Sequence, residues 1–302
     1  MNLFTNEIDG WDSWGRLYQS IPTFEPLIQS IFAKEKLPFT EIEHCTPGTN
    51  AVFKIGKYVI KIFAPAESGI DSTMDFTTEL FAMRRAVQLG VSVPKLVASG
   101  EVKDKFLFSY LIMEYIDGTE LNKINYTLTL ADKIAIGHKL RKLTDRMNIP
   151  CVPFNDTDVI QDENRQKRWA KYPERFKKER KNYIKNYKFA EKVFVHGDLN
   201  GDNLLLADDH TIHIIDFADA VRAPLVYEQA LIACELFKFD KAYMQGYFGC
   251  APIEEITEIC FNGLLIHDFG GDVIEQNICP STELKNLDIL REKIDLLLTN
   301  NE

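Results

Sequence analysis

The stretch Val193–Asp219 reads VFVHGDLNGDNLLLADDHTIHIIDFAD, and the rest of the chain is interpreted from it. It contains the triplet His196-Gly197-Asp198, an asparagine five residues after that aspartate, and a second aspartate eighteen residues after it. Two short apolar runs, residues 203–206 and 212–215, lie on either side of a polar segment at 208–210. Apolar runs separated by a short polar turn are typical of a β-hairpin.

The spacing within this hairpin predicts a metal site. If Asp209 and His210 form a two-residue turn, Leu206 lies opposite His213 and Asn203 lies opposite Asp216. Opposed residues have Cβ atoms roughly 5 Å apart, so an amide oxygen and a carboxylate could share Mg²⁺, which prefers hard oxygen ligands. The aspartate of the triplet precedes the first strand and is left to accept a proton from a substrate hydroxyl.

The stretch resembles the catalytic loop of the aminoglycoside phosphotransferase family, kinase-like enzymes that phosphorylate small molecules. Protein kinases carry H-R-D-x-x-x-x-N and a later metal-binding aspartate, and here Gly197 stands in the place of the arginine. The resemblance implies that Asp198 is the catalytic base and that Asn203 and Asp216 bind magnesium. We expect His196 to have a structural role in the loop.

Composition indicates a globular cytoplasmic enzyme. The chain has 302 residues, of which 45% are hydrophobic, enough for one large domain or two lobes. Its first residues lack the pattern of a signal peptide, and no apolar run is long enough to span a membrane. The six cysteines form no C-x-x-C pair and no zinc-binding spacing. We therefore expect a reduced, cytoplasmic protein without a membrane partner.

The charge is unevenly distributed. The formal net charge is −10, but residues 165–188 contain eleven Lys or Arg and two Glu, a balance of +9 that leaves −19 elsewhere. Aromatic residues among basic ones can indicate nucleic-acid binding, or they can pack a solvated helix onto its lobe. We expect the helix, and we do not expect a nucleic-acid partner. Acidic surroundings elsewhere would suit a cationic substrate.

The N-terminal part predicts a nucleotide-binding sheet. Residues 39–44, 51–55 and 58–63 have the pattern of three antiparallel strands, and Gly48, Thr49 and Asn50 in the first turn are expected over the nucleotide phosphates. Lys61 projects to the face opposite its apolar neighbours, where kinases place the lysine that pairs the α- and β-phosphates. Glu79 borders the buried face of a helix at 75–89, and we expect it to pair with this lysine.

The resemblance also implies a two-lobed organisation. We expect an α+β, bilobal protein-kinase-like fold, with an N-terminal antiparallel sheet, one key helix and a mainly helical C-terminal lobe. The first lobe covers residues 1–116, including a helical extension at 1–38, and the second covers 117–302. The link between lobes is expected at Glu114, Tyr115 and Ile116, whose backbone groups would contact the adenine ring.

The segment after Asp216 argues against a polypeptide substrate. A helix is predicted from about Val226, which leaves no room for the activation segment of a protein kinase. The family commonly has Gly-Asp-Pro and a later aspartate here, whereas this chain has residues 222–224, Arg-Ala-Pro, and Glu228. A second D-F-G triplet at residues 268–270 falls within a helical pattern at 259–278. His267 and Asp268 are either ordinary helix residues or part of the acceptor pocket.

Together these features predict an enzyme that transfers the γ-phosphoryl group of ATP, or of GTP, to a hydroxyl of a small molecule with Mg²⁺. The acceptor could be an antibiotic, an amino alcohol, a sugar or a nucleoside, and the sequence does not select among them. The alternatives are a protein kinase-like enzyme that acts on a polypeptide and a non-catalytic nucleotide-binding protein. The oligomeric state is not indicated.

Overall fold

A computed structural model of the protein describes residues 2–46, 48–70, 72–161 and 167–300. The chain divides into two compact units, and each is described here by itself. The first unit comprises Met1–Gln88, Val93–Asp117 and Asp216–Ala218. The second comprises Leu89–Ser92, Gly118–Ile215 and Asp219–Glu302.

The first unit contains a five-stranded antiparallel sheet in the order β1-β2-β3-β5-β4. In the second strand Ala51, Phe53 and Ile55 are buried and alternate with partly exposed residues, as expected for a sheet with one face on a core. The three strands predicted at residues 39–63 are followed in this sheet by the antiparallel pair β4 and β5. The strands are β1 (Ile42–His44), β2 (Ala51–Ile55), β3 (Tyr58–Ile62), β4 (Leu96–Lys103) and β5 (Leu107–Glu114).

Three helices accompany this sheet, and a cluster of aromatic rings joins the first two to it. They are α1 (Trp11–Leu17), α2 (Ile21–Lys34) and α3 (Ser72–Gln88), with a 3₁₀ turn at Ala66–Ser68. Phe24 of α2 lies at the centre of the cluster, with its ring 5.7 Å from Phe53 and 5.8 Å from Trp14. The first strand begins at Ile42 rather than at residue 39, because Phe39 instead packs edge-on against Phe32 of α2.

The second unit is mainly helical. Its helices are α4 (Leu121–Ile124), α5 (Leu130–Met147), α6 (Glu174–Asn186), α7 (Val226–Leu231), α8 (Lys241–Phe248), α9 (Ile253–Ile266), α10 (Gly270–Asn277) and α11 (Leu287–Asn300), with 3₁₀ turns at Asn125–Thr127 and Ser281–Glu283 and a π-helical turn at Ile232–Leu236. Its strands are β6 (Gly118–Glu120), β7 (Lys192–Val195), β8 (Leu204–Ala207), β9 (Ile212–Ile214) and β10 (Val221–Pro224). Strands β6, β8 and β9 form one small antiparallel sheet, and β7 and β10 form another.

The predicted hairpin is present, but its predicted register is wrong by one residue. Leu206 pairs with Ile212 rather than with His213, and the backbone N–H of Ile215 donates to the carbonyl of Asn203 at 3.0 Å. The turn contains three residues instead of two, and its last residue, His210, has a φ of 62°. A three-residue hairpin loop that ends in the left-handed region shifts the pairing by one position.

Two helical predictions were also too long. The helix expected for the basic run at 165–188 is α6, which starts only at Glu174, after Pro173. The pattern at 259–278 is two helices, α9 and α10, and the second D-F-G triplet lies at their junction. Within the parts of the chain that the structure describes, no helix is long and apolar enough to span a membrane.

Candidate active site

The loop that contains the His196-Gly197-Asp198 triplet is fixed by hydrogen bonds within the second unit. His196 is fully buried, and its Nε2 lies 2.9 Å from the carbonyl oxygen of Ile215. A carbonyl can only accept, so Nε2 carries the proton, and Nδ1 accepts from the backbone N–H of Asp198 at 3.3 Å. This neutral imidazole holds the loop, as the sequence predicted for a structural histidine.

The side chain of Asp198 is held by two amides. Its Oδ1 accepts from Nδ2 of Asn200 at 3.0 Å, and its Oδ2 accepts from Nδ2 of Asn203 at 3.0 Å. The same Nδ2 of Asn203 also donates to the backbone carbonyl of Asp198 at 2.8 Å. The two donations fix the orientation of the Asn203 amide and direct its oxygen away from the aspartate. A carboxylate has about four lone-pair sites, so Asp198 keeps the capacity to accept a further proton.

A buried carboxylate supports this loop from α7. Glu228 is completely buried, and its two oxygens accept the backbone N–H groups of His196 at 2.9 Å and Gly197 at 3.0 Å. Burial raises its pKa to about 7, although these hydrogen bonds and one from Asn148 act in the opposite direction. This role of Glu228 was not predicted from the sequence. The available signal was a carboxylate within the apolar segment 225–234, where an unpartnered charge would be costly.

Gly197 is required by its surroundings. Its φ is 86°, and a Cβ at this position would lie 2.1 Å from the carbonyl oxygen of Asp219. Both the left-handed backbone and the close carbonyl exclude a larger residue. This explains why the triplet has glycine at the position where protein kinases have arginine.

In the first unit, the structure brings together the predicted Lys61 and Glu79, and adds Asp216. The ammonium nitrogen of Lys61 lies 2.7 Å from Oε2 of Glu79 and 2.7 Å from Oδ1 of Asp216. The side chains of Lys61 and Glu79 are 6% and 2% exposed, whereas that of Asp216 is 45% exposed. The glutamate is therefore a buried partner, and the aspartate retains access to solvent.

The charges of this cluster follow from burial and from mutual attraction. Burial alone would lower the pKa of Lys61, but Asp216 and Glu79 outweigh it and raise the pKa above its ordinary value, so the lysine stays protonated. Burial raises the pKa of Glu79, and the neighbouring ammonium opposes that effect. The lysine is therefore a permanent cation held by a carboxylate from α3.

Asp216 has an unusual backbone conformation, with a φ of 58°. Left-handed residues other than glycine are uncommon, and Asp and Asn are the types that adopt this region most readily. Strand β9 has ended at Ile214, and this conformation turns the carboxylate toward Lys61. Strained backbone of this kind is concentrated at functional sites.

Two hydrogen bonds hold the predicted phosphate loop, one at Thr49 and one at Asn50. Nε1 of Trp14 donates to the carbonyl of Thr49 at 2.9 Å, and Oδ1 of Asn50 accepts from the backbone N–H of Ala64 at 3.2 Å. Gly48 precedes them, and among the described residues no atom lies within 4 Å of where its Cβ would be. Residue 47 lies outside the described residues. The contact from Trp14 was not predicted, because the pattern of residues 1–38 indicated a helical extension and no contact with this loop.

The predicted hinge residues Glu114, Tyr115 and Ile116 follow the end of β5. The backbone N–H of Glu114 donates to the carbonyl of Lys95 at 2.9 Å, and that of Tyr115 donates to the carbonyl of Lys57 at 2.9 Å. Two of the N–H groups that were expected to contact adenine therefore have partners within the chain. Contacts from this segment to a base would then come from its carbonyls and from Ile116.

His267 and Asp268 are not ordinary helix residues, because they lie between α9 and α10. The ring of His267 is buried and stacks on Tyr227 at 3.9 Å. Asp268 forms an ion pair with Arg168 at 3.0 Å, and its backbone N–H donates to the hydroxyl of Tyr227. Whether the two residues line an acceptor pocket remains a prediction.

Comparison with known proteins identifies the family of this chain. The model of the phosphotransferase enzyme family, APH, matches residues 48–256, more than two thirds of the chain. The chain belongs to this family. Its predicted enzyme class, a phosphotransferase with an alcohol group as acceptor, is thereby confirmed. A search of curated proteins found no match.

Solved structures similar to this phosphotransferase confirm the predicted fold class. APH(2")-IIa, in a ternary complex with streptomycin and ATP, has a TM-score of 0.58 and 16% identity, over 87% of this chain and 96% of that chain. The ADP-bound aminoglycoside phosphotransferase APH(2'')-Ib has a TM-score of 0.56 and 15% identity, over 90% and 96%. The GDP complex of aminoglycoside 2'-phosphotransferase-IIIa has a TM-score of 0.54 and 13% identity, over 91% and 98%. The predicted resemblance is confirmed.

Proposed function

We propose that this phosphotransferase moves the γ-phosphoryl group of ATP to a hydroxyl of a small molecule, with Mg²⁺ as cofactor. The observation that best supports the proposal is the contact of Lys61 with both Glu79 and Asp216. A buried lysine, a buried carboxylate that holds it and a half-exposed carboxylate beside it are the groups that a kinase uses at the phosphates. In this proposal the first unit binds the nucleotide, and the second supplies the catalytic loop.

The proposed magnesium ligands have suitable chemistry. The amide oxygen of Asn203 is left available by the two donations from its nitrogen, and Asp216 presents a carboxylate that is partly open to solvent. Both are hard oxygen ligands, and Mg²⁺ takes few of its six ligands from the protein. Across the described ranges no cluster of three or more His, Cys, Asp or Glu side chains could hold a metal. The ion, when bound, neutralises charge on the phosphate oxygens.

The protein groups have separate tasks in this mechanism. Asp198, oriented by Asn200 and Asn203, accepts the proton of the attacking hydroxyl. Lys61 contacts the α- and β-phosphates, and Gly48, Thr49 and Asn50 lie over them. Glu114, Tyr115 and Ile116 hold the base. Such catalysis consists largely of positioning and charge neutralisation.

The acceptor is proposed to be a small molecule. Nine residues separate Asp216 from the first residue of α7, and four of them form β10, which pairs with β7. This segment leaves no room for a long peptide-binding loop. Structural neighbours are complexes with streptomycin and with gentamicin, so aminoglycosides are the first acceptors to test. A neighbour with GDP bound makes GTP a second donor to test.

We infer that the enzyme works in the cytoplasm. None of the six cysteines, all of which lie in the described ranges, forms a disulfide, which is typical of a reducing compartment.

The test is a product screen by mass spectrometry. Purified protein is incubated with Mg-ATP or Mg-GTP, a panel of aminoglycosides and a metabolite extract, beside the Asp198→Asn variant as a matched control. We expect a product heavier by one phosphoryl group with the wild type only. Loss of the base should lower the rate by about 10² to 10⁴.

A phosphorylated polypeptide that forms only with the wild type would instead indicate a protein kinase. Nucleotide binding without turnover on any acceptor would support a non-catalytic protein. Equal product with Asp198→Asn would refute the role of that aspartate.

A further inference from the structure

A short helix, α4, contacts the catalytic loop from outside it. The helix and the loop both belong to the second unit. The backbone N–H of Asn122, in this helix, donates to the carbonyl of Gly201 at 3.2 Å. The side-chain Nδ2 of Asn122 donates to Oδ1 of Asp202 at 2.9 Å. Asn122 has no role in the proposed mechanism, yet it binds two successive residues of the loop between Asp198 and Asn203.

The glycine at residue 201 allows this close contact. Gly201 is buried, and a Cβ at this position would lie 2.0 Å from Oδ1 of Asn122 and 3.0 Å from its Nδ2. These separations are far inside van der Waals contact, so a side chain at residue 201 would displace the amide of Asn122. The loop therefore has a residue without a side chain where the amide packs on its backbone.

The contact reaches the proposed base through one side chain, that of Asn200. Its Oδ1 accepts the backbone N–H groups of Asp202 at 2.9 Å and of Asn203 at 3.3 Å. Its Nδ2 donates to Oδ1 of Asp198 at 3.0 Å. The oxygen and the nitrogen belong to one planar amide, so a shift of Asp202 also moves the donor that orients the Asp198 carboxylate.

Helix α4 has a fixed position relative to the loop. Strand β6 directly precedes the helix and pairs with β8, which begins at Leu204 directly after the loop. The first residue of the helix, Leu121, is 4% exposed, so the helix is also held by burial. The loop is therefore held at its end by the pairing of β8 with β6, and in its middle by Asn122.

We propose that Asn122 is a positioning residue for phosphoryl transfer, which holds the loop so that Asn200 keeps the Asp198 carboxylate directed at the acceptor hydroxyl. This inference rests on the proposed role of Asp198 as the base. Asn122 and Asp202 are both exposed, and a single exposed hydrogen bond contributes little to stability. A misplacement of about 1 Å can cost about 10²-fold in rate. Loss of the contact should therefore lower kcat while the protein stays folded.

The test exchanges the two polar groups of the contact. Asn122→Asp places a carboxylate against that of Asp202, and like charges at hydrogen-bond distance repel. We expect kcat to fall about 10-fold, with the KM for ATP and for the acceptor changed by less than about twofold. Adding Asp202→Asn restores a donor opposite an acceptor and the net charge of the wild type, so kcat should return to within about twofold of the wild type. Steady-state kinetics use Mg-ATP and gentamicin, or in its place the acceptor that the product screen identifies.

Amide hydrogen exchange, measured by NMR, gives a second readout that needs no acceptor. The backbone N–H groups of Asp202 and Asn203 both bond to the side chain of Asn200. Their protection factors should fall about threefold or more in Asn122→Asp, because the loop opens more often. In the doubly changed protein both should return to within about twofold of the wild type.

Asn125→Asp is the matched control. Asn125 follows α4 and is exposed, as Asn122 is, and its Oδ1 accepts from the hydroxyl of Tyr243 in α8. A carboxylate can accept the same hydrogen bond, so kcat and both protection factors should stay within about twofold of the wild type. Circular dichroism and urea unfolding check that each variant is folded.

The kinetic and exchange results each have an outcome that overturns the proposal. Wild-type kcat in Asn122→Asp would do so, as would an equal loss in Asn125→Asp or no recovery in the doubly changed protein. Unchanged protection of both amides in Asn122→Asp would overturn it without any acceptor. A higher KM for ATP at unchanged kcat would show a contact with the nucleotide instead. Failure of the proposed function gives a different result, because Asp198→Asn would then form product at the wild-type rate.

Discussion

Removing either partner of the buried pair Lys61–Glu79 should destabilise the protein by different amounts. Lys61→Met leaves the Glu79 carboxylate, whose side chain is 2% exposed, without its cation. Breaking a buried pair in this way costs about 3 to 5 kcal/mol. Glu79→Leu costs less, on the order of 1 to 2 kcal/mol, because Lys61 keeps Asp216 at 2.7 Å. The variant carrying both changes buries neither charge and should be more stable than Lys61→Met alone.

The pH dependence of Lys61→Met follows from Glu79. Burial already raises the pKa of this carboxyl, and loss of the ammonium, which lowers it, raises it further. The free energy of unfolding of Lys61→Met should therefore recover as pH falls from 7.5 to 5.5, because Glu79 takes up a proton in the folded state. Urea unfolding of the wild type, the two single variants and the double variant at pH 7.5 and pH 5.5 measures these free energies of unfolding.

Activity separates the catalytic role from the structural one. If Lys61 contacts the phosphates, kcat/KM should fall by about 10² to 10³ in Lys61→Met, and the doubly changed protein should regain stability without regaining activity. Equal stability of the two single variants at pH 7.5, with no gain in the stability of Lys61→Met at pH 5.5, would refute the claim that this variant buries an unpaired Glu79 carboxylate. Recovery of activity in the doubly changed protein would refute the phosphate contact.

Three further predictions concern the loops. Trp14→Phe removes the hydrogen bond to Thr49 but keeps an aromatic ring; the KM for ATP should rise several-fold with kcat nearly unchanged, at a cost of about 1 kcal/mol in urea unfolding. Glu228→Gln should flatten the pH dependence of stability: the folded-state pKa of about 7 lies above the ordinary 4.5, so the wild type loses stability as pH rises from 4.5 to 7, by about 3 kcal/mol. Gly197→Ala should lower kcat by at least about tenfold and the unfolding free energy by about 1 to 3 kcal/mol, because of the strained backbone and the close carbonyl, as steady-state kinetics and urea unfolding would show.

Each of these has a contrary outcome. Trp11 lies on the same helix and is 45% exposed, so Trp11→Phe is the control for Trp14→Phe. An equal change in KM in the two variants would exclude the loop contact. Unaltered pH dependence in Glu228→Gln, with Glu79 still contributing in the same direction, would show that Glu228 does not titrate as stated. A fully active Gly197→Ala would mean that the loop tolerates a different backbone.

The contacts that the sequence predicted are those between regular elements. Lys61 alternates with apolar residues on β3, and Glu79 lies at helical spacing on α3, so the periodicities of strand and helix fix the direction of both side chains. Contacts between distant, irregular segments were not predictable in this way. The donation from Trp14 to Thr49 and the support of His196 by Glu228 join residues 35 and 32 positions apart. No local pattern specifies such pairs.

The magnesium ligands were assigned from a register that is wrong, yet Asp216 still lies beside Lys61. A slip of one residue reverses the face of every side chain that follows regular strand alternation. Asp216 does not follow it, because the paired part of β9 ends at Ile214 and the φ of 58° redirects the carboxylate. Its direction is set by this left-handed residue and by the ion pair with Lys61. The position of Asp216 along the chain therefore predicted its place beside Lys61, whereas the predicted pairing of β8 with β9 did not.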